Sequence, residues 1–169
     1  CRSVNQMKKI QVGKVVVNIS AGEVGQEVDK AEKLVEKLTG KTAVRTESGP
    51  DMKTFGGRAG LSIGAATTLR GEEAREFLEK VLPAAEISES SFDGNGNLSF
   101  GIDEYIDVPG VEYDGDIGMM GFEVAVSLER PGYRVKRREH QPSSVGDNHL
   151  VSDAEAKEFV NTNFEVSVQ

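Results

Sequence analysis

FEVAVSLERPG, residues 122–132, decides how this chain is read. Phe122, Val124, Val126 and Leu128 alternate with Glu123, Ala125, Ser127 and Glu129. Period-two alternation marks a strand with one buried face, and Pro131-Gly132 stops it. Beyond that stop the chain reads YRVKRREH, and five of its 20 basic residues (Arg130, Arg134, Lys136, Arg137 and Arg138) fall within nine positions. The formal charge of the whole is −8, from 28 acidic residues against those 20 basic ones. A solvated tail, a membrane-surface patch and a nucleic-acid footprint are all open at this point. If YRVKRR alternates as a strand, Tyr133 and Val135 face the sheet. Arg134, Lys136 and Arg138 then project together, a phosphate-binding edge.

Working outward, IQVGKVVVNI (10–19) also alternates, with a slip near Gly13 that suggests a bulge. EVGQEVDKAEKLVEKLTG (23–40) carries Val24, Val28, Ala31, Leu34, Val35 and Leu38 at helical spacing, with Gly40 as a C-terminal cap. AVRT (43–46) is a short strand. In LSIGAATTLRG (61–71), Leu61, Ile63, Ala65, Thr67 and Leu69 form one face. Ser62, Gly64, Ala66, Thr68 and Arg70 form a small, polar one, against which a bulky partner could lie. EEAREFLEKVL (72–82) is a second amphipathic helix ended by Pro83, and NLSFGI (97–102) is a strand. Ser152-Asp-Ala-Glu155 is a capping box that opens a last helix with Ala156, Phe159, Val160 and Phe164.

The predicted fold class is α+β: an antiparallel β-sheet with α-helices packed on one face. Residues 1–169 read as a single domain with an exposed loop at 47–60 and a polar segment at 139–151. No apolar run reaches the roughly 20 residues that span a bilayer. The one cysteine, Cys1, forms no internal disulfide, and a reducing cytoplasm is the expected compartment.

Chemistry is not supported. The two histidines, His140 and His149, fit no metal-ligand spacing, and no phosphate-binding loop or dinucleotide fingerprint occurs. The carboxylates between Ile102 and Asp116 match no calcium loop and read as a solvated acidic surface. No enzyme activity, metal or cofactor is expected.

Several segments together resemble one family. VVVNI (15–19), AEKLVEKLTGKTAVRT (31–46), TLRG (68–71), SSFDGNGNLSFGIDEYIDVPGVEYDGDIGMMGFEV (90–124) and LERPGYRVKRR (128–138) are similar to the archaeal form of the large-subunit ribosomal proteins that bind 5S rRNA. The resemblance implies a structural constituent of the large ribosomal subunit, placed in the central protuberance. Its partners would be 5S rRNA, large-subunit rRNA, P-site tRNA, neighbouring ribosomal proteins and a small-subunit bridge protein. It also implies RNA-facing positions at Asn18, Gly40, Lys41, Thr42, Arg45, Thr46, Thr68 and Arg70. Backbone phosphate contact is implied for Arg130, Arg134, Lys136, Arg137 and Arg138, and a tRNA-facing loop carrying Lys53 and Arg58.

The chain departs from that pattern in one direction. Gln6 stands where members carry proline, and Gly115 follows Tyr113-Asp114 where they carry another. The loop ESGPDMKTFGGRAG (47–60) holds only Lys53 and Arg58 as cations, and EHQPSSVGDNHL (139–150) is no longer basic. An acid-shifted proteome, a divergent homologue with a reduced loop, and a decharged or engineered variant with weakened RNA binding would each explain this.

Overall fold

The computed structural model describes residues 5–22, 24–50 and 59–165. Five strands form one antiparallel sheet: β1 (Gln11–Ser20), β2 (Val44–Glu47), β3 (Ser62–Leu69), β4 (Asn97–Ile102) and β5 (Phe122–Glu129). Their spatial order is β2-β3-β1-β5-β4. Helices α1 (Gln26–Thr39) and α2 (Glu72–Val81) follow β1 and β3, a helical turn α3 (Arg134–Arg137) follows β5, and α4 (Asp153–Phe164) comes last.

The central strand shows why the layers form. Val15, Val17 and Ile19 of β1 are buried, and they meet Val124, Val126 and Leu128 of β5 and Leu98, Phe100 and Ile102 of β4 in one core. Helix α1 closes that face with Ala31, Leu34, Val35 and Leu38, α2 with Ala74, Phe77, Leu78 and Val81, and α4 with Ala156 and Val160. Burial of each large aliphatic side chain contributes about 1.5–3 kcal/mol, so this shared core dominates the stability.

The slip at Gly13 is a bulge. Val12 pairs with Leu128, and the register then shifts so that Lys14 pairs with Ser127. A Cβ at Gly13 would stand 2.5 Å from Cδ of Glu129, so the position suits glycine. The bulge lets Val12 and Val15 both face the core and turns Lys14 to the other side.

Three local expectations change. Val24 is 56% exposed, because α1 begins only at Gln26, after Gly25 turns the chain at φ 108°. Leu61 precedes β3 and is exposed rather than inward. Residues 133–138 do not alternate as a strand. Arg134–Arg137 make one helical turn, closed by the Arg138 N–H donating to the Arg134 carbonyl at 2.9 Å. The turn is held from below: the Tyr133 hydroxyl donates to the His149 carbonyl and accepts from the Val151 N–H, both at 3.2 Å.

Candidate RNA-binding surface

Strand register places one side of the sheet away from α1, α2 and α4. Several rows of side chains cross it, and three of them span its middle and one end. Val44, Ala66, Asn18, Glu123 and Gly101 make one row, Thr68, Val16, Ala125 and Ser99 the next, and Lys14, Ser127 and Asn97 the third. Nearly all are small or polar. Thr68, Ala125, Ser99, Gly101 and Glu123 are exposed, and Val16, Asn18 and Ala66 are half-buried. Gly64 brings the strands close: a Cβ there would lie 2.3 Å from the Ile19 carbonyl oxygen.

The face is electrostatically polarised. Lys14 stands at one end, and Arg70 follows Leu69, the partner of Val15, at the same end. The turn α3 borders that end too, since Lys136 and Arg137 line a depression with Asn97 and Ser127. Glu123 lies toward the other end, where Asp103 and Glu104 follow β4. Lys14, Arg70, Arg134 and Lys136 have no ion-pair partner among the described residues, so their charge is available to an external anion.

The expected site residues separate into groups. Asn18, Thr46, Thr68 and Arg70 lie on or beside the open face. Gly40 caps α1 at φ 69°, and the turn through Lys41 and Thr42 leads into β2. Lys41 pairs with Glu73, and the Thr42 carbonyl accepts from the Thr67 hydroxyl at 3.4 Å. Arg45 points the other way. Its guanidinium donates to Glu32 at 2.7 Å and to Asp29 at 2.8 Å, both on α1. Glu32, and after it Asp29, hold Arg45 above its ordinary pKa, so the cation is permanent and locally neutralised.

Arg130 is the largest departure from a row of outward cations. It is 8% exposed, and its guanidinium donates to the Lys8 carbonyl, the Leu150 carbonyl and Glu155 at 3.1, 3.1 and 2.6 Å. It ties the N-terminal segment, the 139–151 segment and α4 to the end of β5. The other cations of the stretch are exposed; Arg137 pairs with Glu129, and Arg138 donates to the Gln141 carbonyl at 2.8 Å. Lys53 and Arg58 lie outside the described residues.

Sequence reasoning passed over Lys14 and Glu123. The slip in alternation at Gly13 was the signal for Lys14, because a bulge reverses which side the next residue faces. Glu123 follows from the period of β5 once the opposite face is known to be uncovered.

Around the acidic loop, Tyr105 is fully buried and its hydroxyl bridges the backbone of Asp114. Asp114 pairs with Lys37 at 3.5 Å. Its carboxyl is held below the ordinary range by the Asp116 N–H first and, against the opposing effect of burial, by Lys37. Among the described residues no three carboxylate, histidine or cysteine side chains gather as a metal site.

The family model described as Ribosomal protein L5 matches residues 5–58, and the companion model for the C-terminus of that ribosomal family matches residues 62–159. The chain belongs to the ribosomal protein L5 family. The two matches meet in the segment between β2 and β3, and together they take in every strand. Large ribosomal subunit protein uL5 of Sulfurisphaera tokodaii is 45% identical, over 99% of this chain and 96% of that protein. The uL5 of Sulfolobus acidocaldarius is 44% identical over 97% and 93%, and that of Methanosphaera stadtmanae 41% over 98% and 99%. Identity at this level, spread over nearly the whole chain, supports an archaeal-type L5-family protein and gives no support to an engineered origin.

Proposed function

We propose that this chain is a structural constituent of the large ribosomal subunit that binds 5S rRNA across the open face of its sheet. It works in the cytoplasm as part of the ribosome and has no catalytic role. The observation that carries the RNA-binding reading is the open face itself, with short donors and acceptors at Asn18 and Thr68 and unpaired cations gathered at one end. Structured RNA is recognised through phosphates, 2′-hydroxyls and splayed bases, and such a surface offers groups for each. Arg70, Lys14, Arg134, Lys136 and Arg137 supply the backbone contacts, while Asn18, Thr46 and Thr68 reach sugars or base edges. Arg130 serves the surface indirectly, by fixing the strand end from which α3 projects.

The same charge logic assigns the other partners. The loop after β4 carries Asp103, Glu104, Asp107, Glu112 and Asp116 with no lysine or arginine. Carboxylates repel phosphate, so this surface turns toward basic proteins of the central protuberance and the small-subunit bridge. Lys53 and Arg58 are the residues proposed to approach P-site tRNA.

The test is binding of the full chain to 5S rRNA and to an unrelated RNA of similar length, at two salt concentrations. Preferential binding of 5S rRNA, weakened by salt, supports the reading. Equal, weak binding to both RNAs would overturn it.

A further inference from the structure

Glu123 is a carboxylate toward one end of a surface otherwise suited to RNA. It pairs in register with Asn18 on one side and Gly101 on the other. It is exposed, and no lysine, arginine or hydrogen-bond donor among the described residues engages its side chain. The Asn18 side chain likewise has no hydrogen-bond partner among the described residues. Both line one depression of about 400 Å³, whose floor is made by Ala125, Ser99 and Gly101. Gly101 keeps the floor open, since a Cβ there would meet only the Phe122 carbonyl oxygen, at 4.0 Å.

A carboxylate pressed against phosphate weakens binding, whereas one that meets base donors adds specificity. Its two oxygens accept side by side. Guanine alone presents two adjacent donors on its pairing edge, the N2 amino group and N1–H, followed by the O6 acceptor. An asparagine amide beside the carboxylate can donate to O6. Adenine, cytosine and uracil place an acceptor where the second donor is needed. Unstacked bases in RNA loops are read on this edge.

We propose that Glu123 and Asn18 form a guanine-reading site on the open sheet face, taking one unpaired guanine of the bound rRNA. The site rests on the RNA-binding reading above. Glu123 accepts from N1–H and N2–H, Asn18 donates to O6, and the small floor of Ala125, Ser99 and Gly101 accommodates the ring.

The test uses the full chain, its Glu123→Gln and Glu123→Asp variants, and 5S rRNA probed with kethoxal, which modifies N1 and N2 of unpaired guanines. Among the guanines the wild-type chain protects, one unpaired guanine should depend on the Glu123 carboxylate. Glu123→Gln should lose that protection, retain the others, and bind about tenfold more weakly. Glu123→Asp should retain part of the protection. Protection equal in wild type and Glu123→Gln, or tighter binding by Glu123→Gln, would overturn the proposal, the latter because it places the carboxylate beside phosphate.

A second arm is independent of 5S rRNA. GMP added to the isolated chain should shift the amide resonances of Asn18, Gly101 and Glu123, and AMP should not. Equal responses to the two nucleotides, or none, would overturn the site. A chain that ignores 5S rRNA yet discriminates GMP would instead locate the failure in the RNA assignment.

Discussion

Arg130 and Glu155, 25 residues apart, are joined by a 2.6 Å hydrogen-bonded ion pair in which the arginine side chain is 10% exposed. The same guanidinium satisfies the carbonyls of Lys8 and Leu150. Four segments therefore meet at one side chain, in a stretch whose composition suggests an outward row of cations. Arg130→Ala is expected to lower stability by about 2–3 kcal/mol, because it leaves two carbonyls and a half-buried carboxylate without their donor. Urea unfolding reads the loss. Affinity for 5S rRNA, measured well below both melting points, should change less than that of an Arg134→Ala variant. A loss of affinity with no loss of stability would place Arg130 at the RNA instead.

Acid should loosen the same junction. Glu155 is held below its ordinary value of 4.5 by the Ser152 N–H, against partial burial, and by Arg130. A carboxyl with a lowered native pKa stabilises the fold fully above its unfolded value. That contribution is lost as the pH falls through the native value. Stability should thus decline below about pH 4.5, and Glu155→Gln should flatten the decline while being less stable at neutral pH. Melting temperatures across the acid range measure both, and an unchanged slope would contradict the assignment.

Gly64→Ala tests the close approach of β1, β3 and β2. Its Cβ would lie 2.3 Å from the Ile19 carbonyl and 2.9 Å from the Thr46 hydroxyl. Separating the strands to admit it should cost about 1–3 kcal/mol. Gly101→Ala, with open space above it, should leave stability within about 0.5 kcal/mol.

The exposed cations predict a salt signature. Changing Arg134 and Lys136 together to Ala should weaken RNA binding at low salt. It should also reduce the slope of log affinity against log salt by about 0.7–0.9 for each phosphate that is no longer neutralised. Arg45→Ala, on the opposite side and already neutralised by Glu32 and Asp29, should alter that slope little.

Much of this fold was legible from local pattern. The alternation of residues 122–129 gives β5 with its bounds, and the Ser152–Glu155 capping box opens α4 as expected. Both signals are short-range, and core burial agrees with them. The turn at 134–137 was not legible as a helix. Four residues of mixed polarity carry no decisive period, and the turn's anchor is the Tyr133 hydroxyl, which reaches His149 and Val151. Arg130 was not legible either, because one of its partners, Lys8, lies 122 residues away. Of the surface, Asn18, Thr68 and Arg70 could be placed on one face from strand period alone. Arg45 could not, because at an edge strand the opposite parity leads to α1 rather than into the core.

The central claim is that the uncovered sheet face meets the RNA, and a charge placed on that face tests it most directly. Ala125 sits at its centre, and Lys33 is exposed on α1. Ala125→Glu adds one negative charge on the open face, whereas Lys33→Glu shifts the net charge by two on the helical side. Measured by 5S rRNA affinity at fixed salt, with melting temperature as the check on folding, Ala125→Glu should lose at least about tenfold and Lys33→Glu only a small factor. A folded Ala125→Glu variant that binds like wild type, or a larger loss from Lys33→Glu, would contradict the account.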